Sequence, residues 1–242
     1  PQGCETMLEL LGRAEMVKSA RRAVTGDRVC IGLTYKDQAF VHPETKKCRE
    51  LTKEIADGTK SIDELKHICF TSIRINHNTI SAPHTDNNLE GCPSIAIGLG
   101  DYVGGRLRIT GTKRPIPIRN HAVICNGLQT QSSEKLNGDR WSLVLFAHAS
   151  WPNVTRGNAD ELRKLGLPCP RKGYRGYSTA MPATTDEVSI LAKAGSSGDP
   201  VVIETDEVVD EIPRGSKKVV VGSAEEARTT EHQVTHMPKN IH

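Results

Sequence analysis

Ser81-Ala82-Pro83-His84-Thr85-Asp86, read with Asp139-Arg140-Trp141-Ser142 further along, is where the chain declares its architecture. In each stretch two chemically active residues are separated by one, and in a strand successive side chains point to opposite faces. His84 and Asp86 therefore project from the same side, about 7 Å apart along the strand, and Arg140 and Ser142 do likewise. Around them the sequence breaks into short β-branched runs at 70–75, 94–99, 106–109, 116–124 and 140–146, punctuated by Gly, Pro and Asn. Several short strands in close succession, with no helix between them, indicate an antiparallel sandwich or barrel rather than a parallel βαβ sheet.

Outside that region the texture differs. Residues 5–24 carry Met7, Leu8, Leu10, Leu11, Met16 and Val17 at roughly helical spacing, which predicts an amphipathic helix ended by Thr25-Gly26-Asp27. Ser61-Ile62-Asp63-Glu64 reads as a capping box, with the serine hydroxyl on a backbone N–H and Glu64 reaching back, so a second helix is expected from there to about His67. Asn158-Ala159-Asp160-Glu161 is a further helix start, and Leu165-Gly166-Leu167-Pro168 a stop. Beyond Cys169 the chain turns to Ser, Thr, Gly, Pro and charge without periodicity, the composition of a disordered tail. The expected division is a helical segment over 1–64 packed on the core, a β core over 65–168, and an acidic, polar tail over 169–242.

Composition bounds the rest. At 242 residues, 26.4 kDa and 36% hydrophobic content, the chain supports one substantial core with polar ends. Its seven cysteines are scattered singly, without a C-x-x-C pair, which excludes a disulfide framework and a zinc ribbon and points to a reducing compartment. No leader is recognisable, and the longest apolar run, Leu143-Val144-Leu145-Phe146-Ala147, is too short to span a bilayer. A soluble, intracellular protein of cytoplasm or nucleus, with no membrane partner, is expected. A start at Pro1 without Met suggests a piece of something longer, such as one module of a polyprotein. The net charge of +3 is unevenly spread: over 183–213 eight acids face Lys193 alone, a net −7, leaving the remainder at +10. A basic body with an acidic tail is compatible with nucleic-acid contact, and equally with an ordinary solvated surface, since no dense Lys/Arg stripe is interleaved with aromatics.

One imidazole and one carboxylate on neighbouring corners of an octahedron leave the remaining positions for a chelating 2-oxo acid and dioxygen, as in iron(II) oxygenases with two histidines and one carboxylate. Alone, His-x-Asp reads more readily as a loop pair bonded to its neighbours. Arg140 and Ser142 on one strand face can take a carboxylate, the guanidinium as a two-pronged fork and the hydroxyl as an added donor. Alone, that pair reads as an exposed strand face.

Laid in order, the segments Phe70-Thr71-Ser72-Ile73-Arg74-Ile75-Asn76-His77-Asn78, the His84/Asp86 stretch, Ile97-Gly98-Leu99-Gly100-Asp101-Tyr102-Val103-Gly104-Gly105-Arg106-Leu107, Ile118-Arg119-Asn120, Asn126-Gly127 and Gly138-Asp139-Arg140-Trp141-Ser142-Leu143-Val144-Leu145-Phe146 resemble the successive core strands of a 2-oxoglutarate- and iron(II)-dependent dioxygenase domain over about 65–168. Similar sequences occur in protist proteins, and the domain is distantly similar to base-oxidising oxygenases of the ten-eleven-translocation and J-binding type. The resemblance implies a double-stranded β-helix, or jelly-roll, with flanking N-terminal helices. It implies iron(II) on His84 and Asp86, 2-oxoglutarate on Arg140 with Ser142 as helper, Asn76 and Asn78 near cosubstrate or prime substrate, and ascorbate as an auxiliary reductant. Gly104-Gly105 would be the tight turn into the next core strand.

The departures from the family pattern fall on the metal site. The second histidine of the family falls at Gln131 here, the proline usual before it at Thr130, a tyrosine after the Asn-x-Asn pair at Thr79, and an acidic residue after the two glycines at Arg106. An amide is a much weaker iron(II) ligand than imidazole. His121, His148 and His77 lack the family's spacing as replacements. Two expectations follow: a hydroxylase whose third metal ligand is Gln131 or water, or an inactive oxygenase fold kept as a binding module. Nucleobase, protein side chain and small molecule all remain open as prime substrate, because loops around the barrel set that choice.

Overall fold

A computed structural model describes residues 2–18, 24–171, 174 and 190–193. Alternation of apolar and polar residues builds its main sheet. β4 (Ser72–Ser81) and β9 (Leu136–Phe146) pair antiparallel, with Ile73 opposite Leu145 and Ile75 opposite Leu143 on one face, and Arg74 opposite Val144 and Asn76 opposite Ser142 on the other. Among the described residues the sheet runs β1 (Val17–Lys18), β2 (Val24–Tyr35), β4, β9, β5 (Ser94–Gly104), β7 (His121–Cys125) and β10 (Ile190–Lys193), with β3 (Ala39–Val41) on β2. A second, smaller layer faces it: β6 (Leu107–Ile109) pairs with β8 (Gln131–Ser133), extended by bridges between His84 and Gln131 and between Leu107 and Ile116. Two facing antiparallel layers whose strands alternate between them along the chain are the double-stranded β-helix.

The outer, apolar face of the main sheet makes the core. Ile31, Leu33, Ile73, Ile75, Ile95 and Leu145 are fully shielded and pack with Leu11 of α1 (Gln2–Gly12), Leu51 and Ile55 of α3 (Arg49–Lys60), and Leu162 of α4 (Arg156–Lys164). Each such aliphatic side chain contributes on the order of 1.5–3 kcal/mol by burial. The short α2 (Glu44–Lys47) leads into α3. With its outer face covered by helices, the sheet turns Arg74, Asn76, Arg140 and Ser142 of β4 and β9 toward a cavity, while Val123 and Cys125 of β7 pack with Ile109, Ile116 and Ile118 in a second apolar cluster.

Several sequence expectations are corrected. The segment expected to be helical over 1–64 holds strands among its described residues: α1 ends at Gly12, and β1, β2 and β3 follow in the main sheet before α2. The Thr25-Gly26-Asp27 stop is a bulge inside β2, where the register with β4 shifts. The helix expected from Ser61 is displaced upstream, for Ser61 is the C-cap of α3 and its hydroxyl bonds the Gly58 carbonyl. In α3 the buried positions include Thr52 and Thr59, whose hydroxyls donate to the carbonyls of Cys48 and Ala56, so a helix with little apolar content still presents a closed face. The run over 116–124 is split into a bridge at Ile116 and the strand β7. α4 starts two residues before Asn158, with Thr155 Oγ1 accepting from the Asn158 N–H. The tail expected over 169–242 lies largely outside the described residues, and within it Ile190–Lys193 forms β10 on the edge of β7. Among the described residues no helix is long and apolar enough to cross a membrane.

Candidate functional site

Past Ser81 the chain crosses to the smaller layer. His84 and Gln131 exchange both backbone hydrogen bonds, at 2.9 and 2.8 Å, and the Asp86 N–H donates to the Gly127 carbonyl at 3.0 Å. Pairing of this kind sets residues directly opposite each other, so the side chains of His84, Asp86 and Gln131 form one cluster. Ser81 is fixed at the start of the crossing, its N–H donating to Ser133 Oγ at 2.8 Å.

The tautomer of His84 follows from one contact. Nδ1 lies 2.9 Å from the Ala82 carbonyl oxygen, which can only accept, so the proton sits on Nδ1 and Nε2 presents its lone pair. Nε2 is 3.7 Å from Asp86 Oδ1. Orientation of a histidine by a carbonyl behind it is how protein metal ligands are commonly prepared. Asp86 divides its oxygens: Oδ1 faces His84, and Oδ2 accepts a 2.6 Å bond from the Gln131 side-chain amide. Gln131 is 9% exposed. Its amide holds a carboxylate that faces His84 rather than presenting an oxygen beside it. Among the described residues no group of three His, Cys, Asp or Glu side chains converges. His121 bonds the Arg119 carbonyl through Nδ1, and His77 stacks on Trp141 at 4.2 Å and bonds Asp139, so neither joins the His84/Asp86 pair.

Across the barrel, Arg140 begins the inward-facing series of β9 and is 2% exposed. Nη1 donates to the Gly105 carbonyl at 2.7 Å, and Nη2 to that of Thr79. Gly104 and Gly105 take φ of +77° and +62°, the turn expected between β5 and β6, which brings that carbonyl to the guanidinium. Nε is buried without a partner; the Tyr102 ring lies 5.8 Å from the guanidinium carbon, and its hydroxyl, close to Gly98, is buried without a partner too. Burial pulls the Arg140 pKa down and Tyr102 opposes this. Burial likewise pushes the Tyr102 phenol up, with Arg140 and Arg119 opposing. A buried cation with no carboxylate and an unsatisfied Nε–H is costly unless an acceptor arrives. A carboxylate supplies what Nε lacks, so Arg140 fits the far end of a dicarboxylic 2-oxo acid.

A cavity of about 350 Å³ joins these parts, with His84, Asp86, Gln131, Asn76, Arg140 and Ser142 all on its wall. That size suits a small ligand. Asn76 donates weakly to Ser142 Oγ and to its carbonyl, both at 3.4 Å. Asn78 does not join the wall: at φ +48° it breaks the alternation, its Oδ1 accepts from the Arg140 N–H at 2.8 Å, and its amide donates to Asp139. It clamps the strand from which Arg140 projects. The Tyr102 ring beside Arg140 and the carbonyls of Thr79 and Gly105 were not foreseeable as site groups, because backbone acceptors and an inward-turned aromatic carry no motif. The register of β4 could have placed Arg74, two positions before Asn76.

For iron the donor set fits in two positions of three. His84 Nε2 and Asp86 Oδ1 are suitable, and the third position faces the Gln131 amide.

No family model matches the chain, and no curated protein matches it. Solved structures do match: a structure of OsALKBH1, 12% identical with a TM-score of 0.40 over 60% of this chain and 91% of that one, and an oxidoreductase of the 2OG-Fe(II) oxygenase family from Burkholderia pseudomallei, 15% identical with a TM-score of 0.39 over 59% of this chain and 76% of that one.

Proposed function

We propose that this chain is a 2-oxoglutarate- and iron(II)-dependent oxygenase domain with a metal seat of two protein ligands. The observation that carries the proposal is the convergence of a lone-pair-bearing His84 Nε2, the Asp86 carboxylate and an Arg140 Nε without an acceptor on one cavity. When bound, iron(II) and 2-oxoglutarate supply dioxygen activation, with the 2-oxo acid decarboxylated to succinate as a C–H bond is hydroxylated.

The chain's own residues bind, orient and screen. Arg140 takes the distal carboxylate through Nε, while Ser142 and Asn76 stand along the same wall to orient the cosubstrate. The Ala82 carbonyl keeps the His84 proton on Nδ1, which leaves Nε2 free to ligate. Gln131 holds Asp86 in its rotamer and lowers its capacity to donate charge to a metal. The prime substrate is a nucleobase, a protein side chain or a small molecule, and ascorbate serves as auxiliary reductant in the family this chain resembles.

One contact favours a second reading. The 2.6 Å bond from Gln131 to Asp86 satisfies a carboxylate oxygen without any metal, as a retained binding fold without turnover would. Anaerobic calorimetry separates the two. Micromolar binding of Mn(II), abolished in His84→Ala, with succinate formed on adding Fe(II), 2-oxoglutarate and ascorbate, supports the oxygenase. Absence of metal binding while 2-oxoglutarate still binds supports the binding fold.

A further inference from the structure

The cavity continues past the His84/Asp86 pair. On β9 the positions facing it run Arg140, Ser142, Val144 and Phe146, and Arg74 stands opposite Val144. Arg74 therefore lies four residues, about 13 Å, along the barrel from the level of Arg140. The facing wall advances in step: Ser81 bonds Ser133 near the start, His84 pairs with Gln131, Asp86 bonds Gly127, and Asn88 pairs with His148 at the far level. His84 and Asp86 thus sit between Arg140 on one side and Arg74 with His148 on the other.

Arg74 is half-buried on the cavity wall. Among the described residues it has neither an ion pair nor a hydrogen-bond acceptor, and its electrostatic neighbours are His42 and His148. The Ser150 N–H donates to His148 Nδ1 at 3.0 Å, which fixes a lone pair there and puts the ring proton on Nε2. Burial and then Arg74 lower the His148 pKa, so the ring is neutral near pH 7 and does not repel the guanidinium. Its Nε2–H is a donor with no acceptor among the described residues. Of the described residues lining the cavity, Asp86 is the sole carboxylate, against the guanidinium groups of Arg74 and Arg140. A divalent metal and the two carboxylates of 2-oxoglutarate compensate each other, which leaves the Arg74 half of the cavity positive. Low-dielectric walls concentrate such a potential on an anion.

On the footing that Arg140 holds the far carboxylate of 2-oxoglutarate, we propose that the prime substrate carries an anionic group, a carboxylate or a phosphate, and that Arg74 takes it as a fork with His148 Nε2–H as a further donor. The half of the cavity beyond the metal seat is then built for an acid or a phosphate ester, not for a neutral or cationic side chain.

The test titrates inorganic phosphate, and acetate in a parallel arm, into protein saturated with Mn(II) and 2-oxoglutarate, followed by calorimetry. One further anion per chain is expected, weakened about tenfold or more in Arg74→Gln, as loss of a charged hydrogen-bonding partner requires. Arg74→Lys, which keeps the charge but not the fork, should fall between, and thermal melts of both variants establish that they fold. Tighter phosphate than acetate assigns a phosphate ester, and the reverse a carboxylic acid. Phosphate that displaces 2-oxoglutarate one for one, phosphate that binds Arg74→Gln as it binds the wild type, or no phosphate binding at all overturns the proposal. Arg140→Gln keeps the two readings apart. It should lose 2-oxoglutarate and keep phosphate, whereas wild-type protein that takes phosphate through Arg74 but never binds 2-oxoglutarate would refute the oxygenase and leave the anion seat standing.

Discussion

Restoring an imidazole at position 131 perturbs the site at its weakest point. In the native chain the Gln131 amide gives Asp86 Oδ2 a 2.6 Å bond, a charge-assisted contact of about 1.5–3 kcal/mol that a metal on Asp86 must work against. Gln131→His removes that amide and offers a third ligand from a position whose backbone already exchanges both hydrogen bonds with His84. Even changing a group that only hydrogen-bonds a ligand alters metal affinity about 10–100-fold, so a full ligand should tighten Mn(II) by at least about 100-fold, or roughly 2.7 kcal/mol. Because Gln131 is buried, a melting curve belongs beside each titration to show that the barrel survives. The assay is anaerobic calorimetry with Mn(II), followed by succinate formation with Fe(II), 2-oxoglutarate and ascorbate. A folded Gln131→His protein with native metal affinity and no gain in turnover would refute the assignment of this position to the metal seat.

Arg140→Lys should lower 2-oxoglutarate affinity about 10–100-fold with little change in Mn(II) binding, since a compact ammonium lacks the planar fork that lets Nη1 and Nη2 hold two carbonyls while Nε faces the cavity; equal losses of both ligands would contradict the division of the cavity. Gly98→Ala would place its methyl carbon 2.2 Å from the Tyr102 hydroxyl, so the ring packed by the Arg140 guanidinium must move, at a cost of about 1–3 kcal/mol in urea denaturation and with a weaker hold on 2-oxoglutarate; an unchanged 2-oxoglutarate titration would show that the Tyr102 ring does not position Arg140. Stability should also depend on pH through His148, whose folded pKa lies below the ordinary 6.5 because of burial and Arg74. The unfolded chain then binds the proton first, so stability is full above pH 6.5 and declines as pH falls below it, and His148→Gln should flatten the fall in urea midpoint between about pH 7.5 and pH 5.5.

Much of this was legible in the residues because it rests on period-two alternation. Ile73 and Ile75 against Arg74 and Asn76, and Leu143 and Leu145 against Ser142, separate core face from cavity face by sequence alone. What escaped was whatever breaks that period or replaces apolar content with locally satisfied polar groups. β2 carries glycines and a bulge where the sequence suggests a stop, and α3 buries threonines that bond their own helix. Asn78 shares a sequence face with Asn76 only until its positive φ turns it aside. The unsatisfied Nε of Arg140 and hydroxyl of Tyr102 belong to the tertiary fold, since neither atom's isolation is visible until β5, β9 and the Gly105 turn meet.

The central claim is that one cavity holds a metal at His84 and Asp86 and a dicarboxylate at Arg140. A crystal structure of the chain grown anaerobically with Mn(II) and 2-oxoglutarate tests it most directly. Mn(II) bonded to His84 Nε2 and Asp86, with the distal carboxylate of 2-oxoglutarate on Arg140 Nε, is the expected result. A metal-free His84/Asp86 pair with 2-oxoglutarate absent from the cavity, or bound at Arg74 instead, would contradict it.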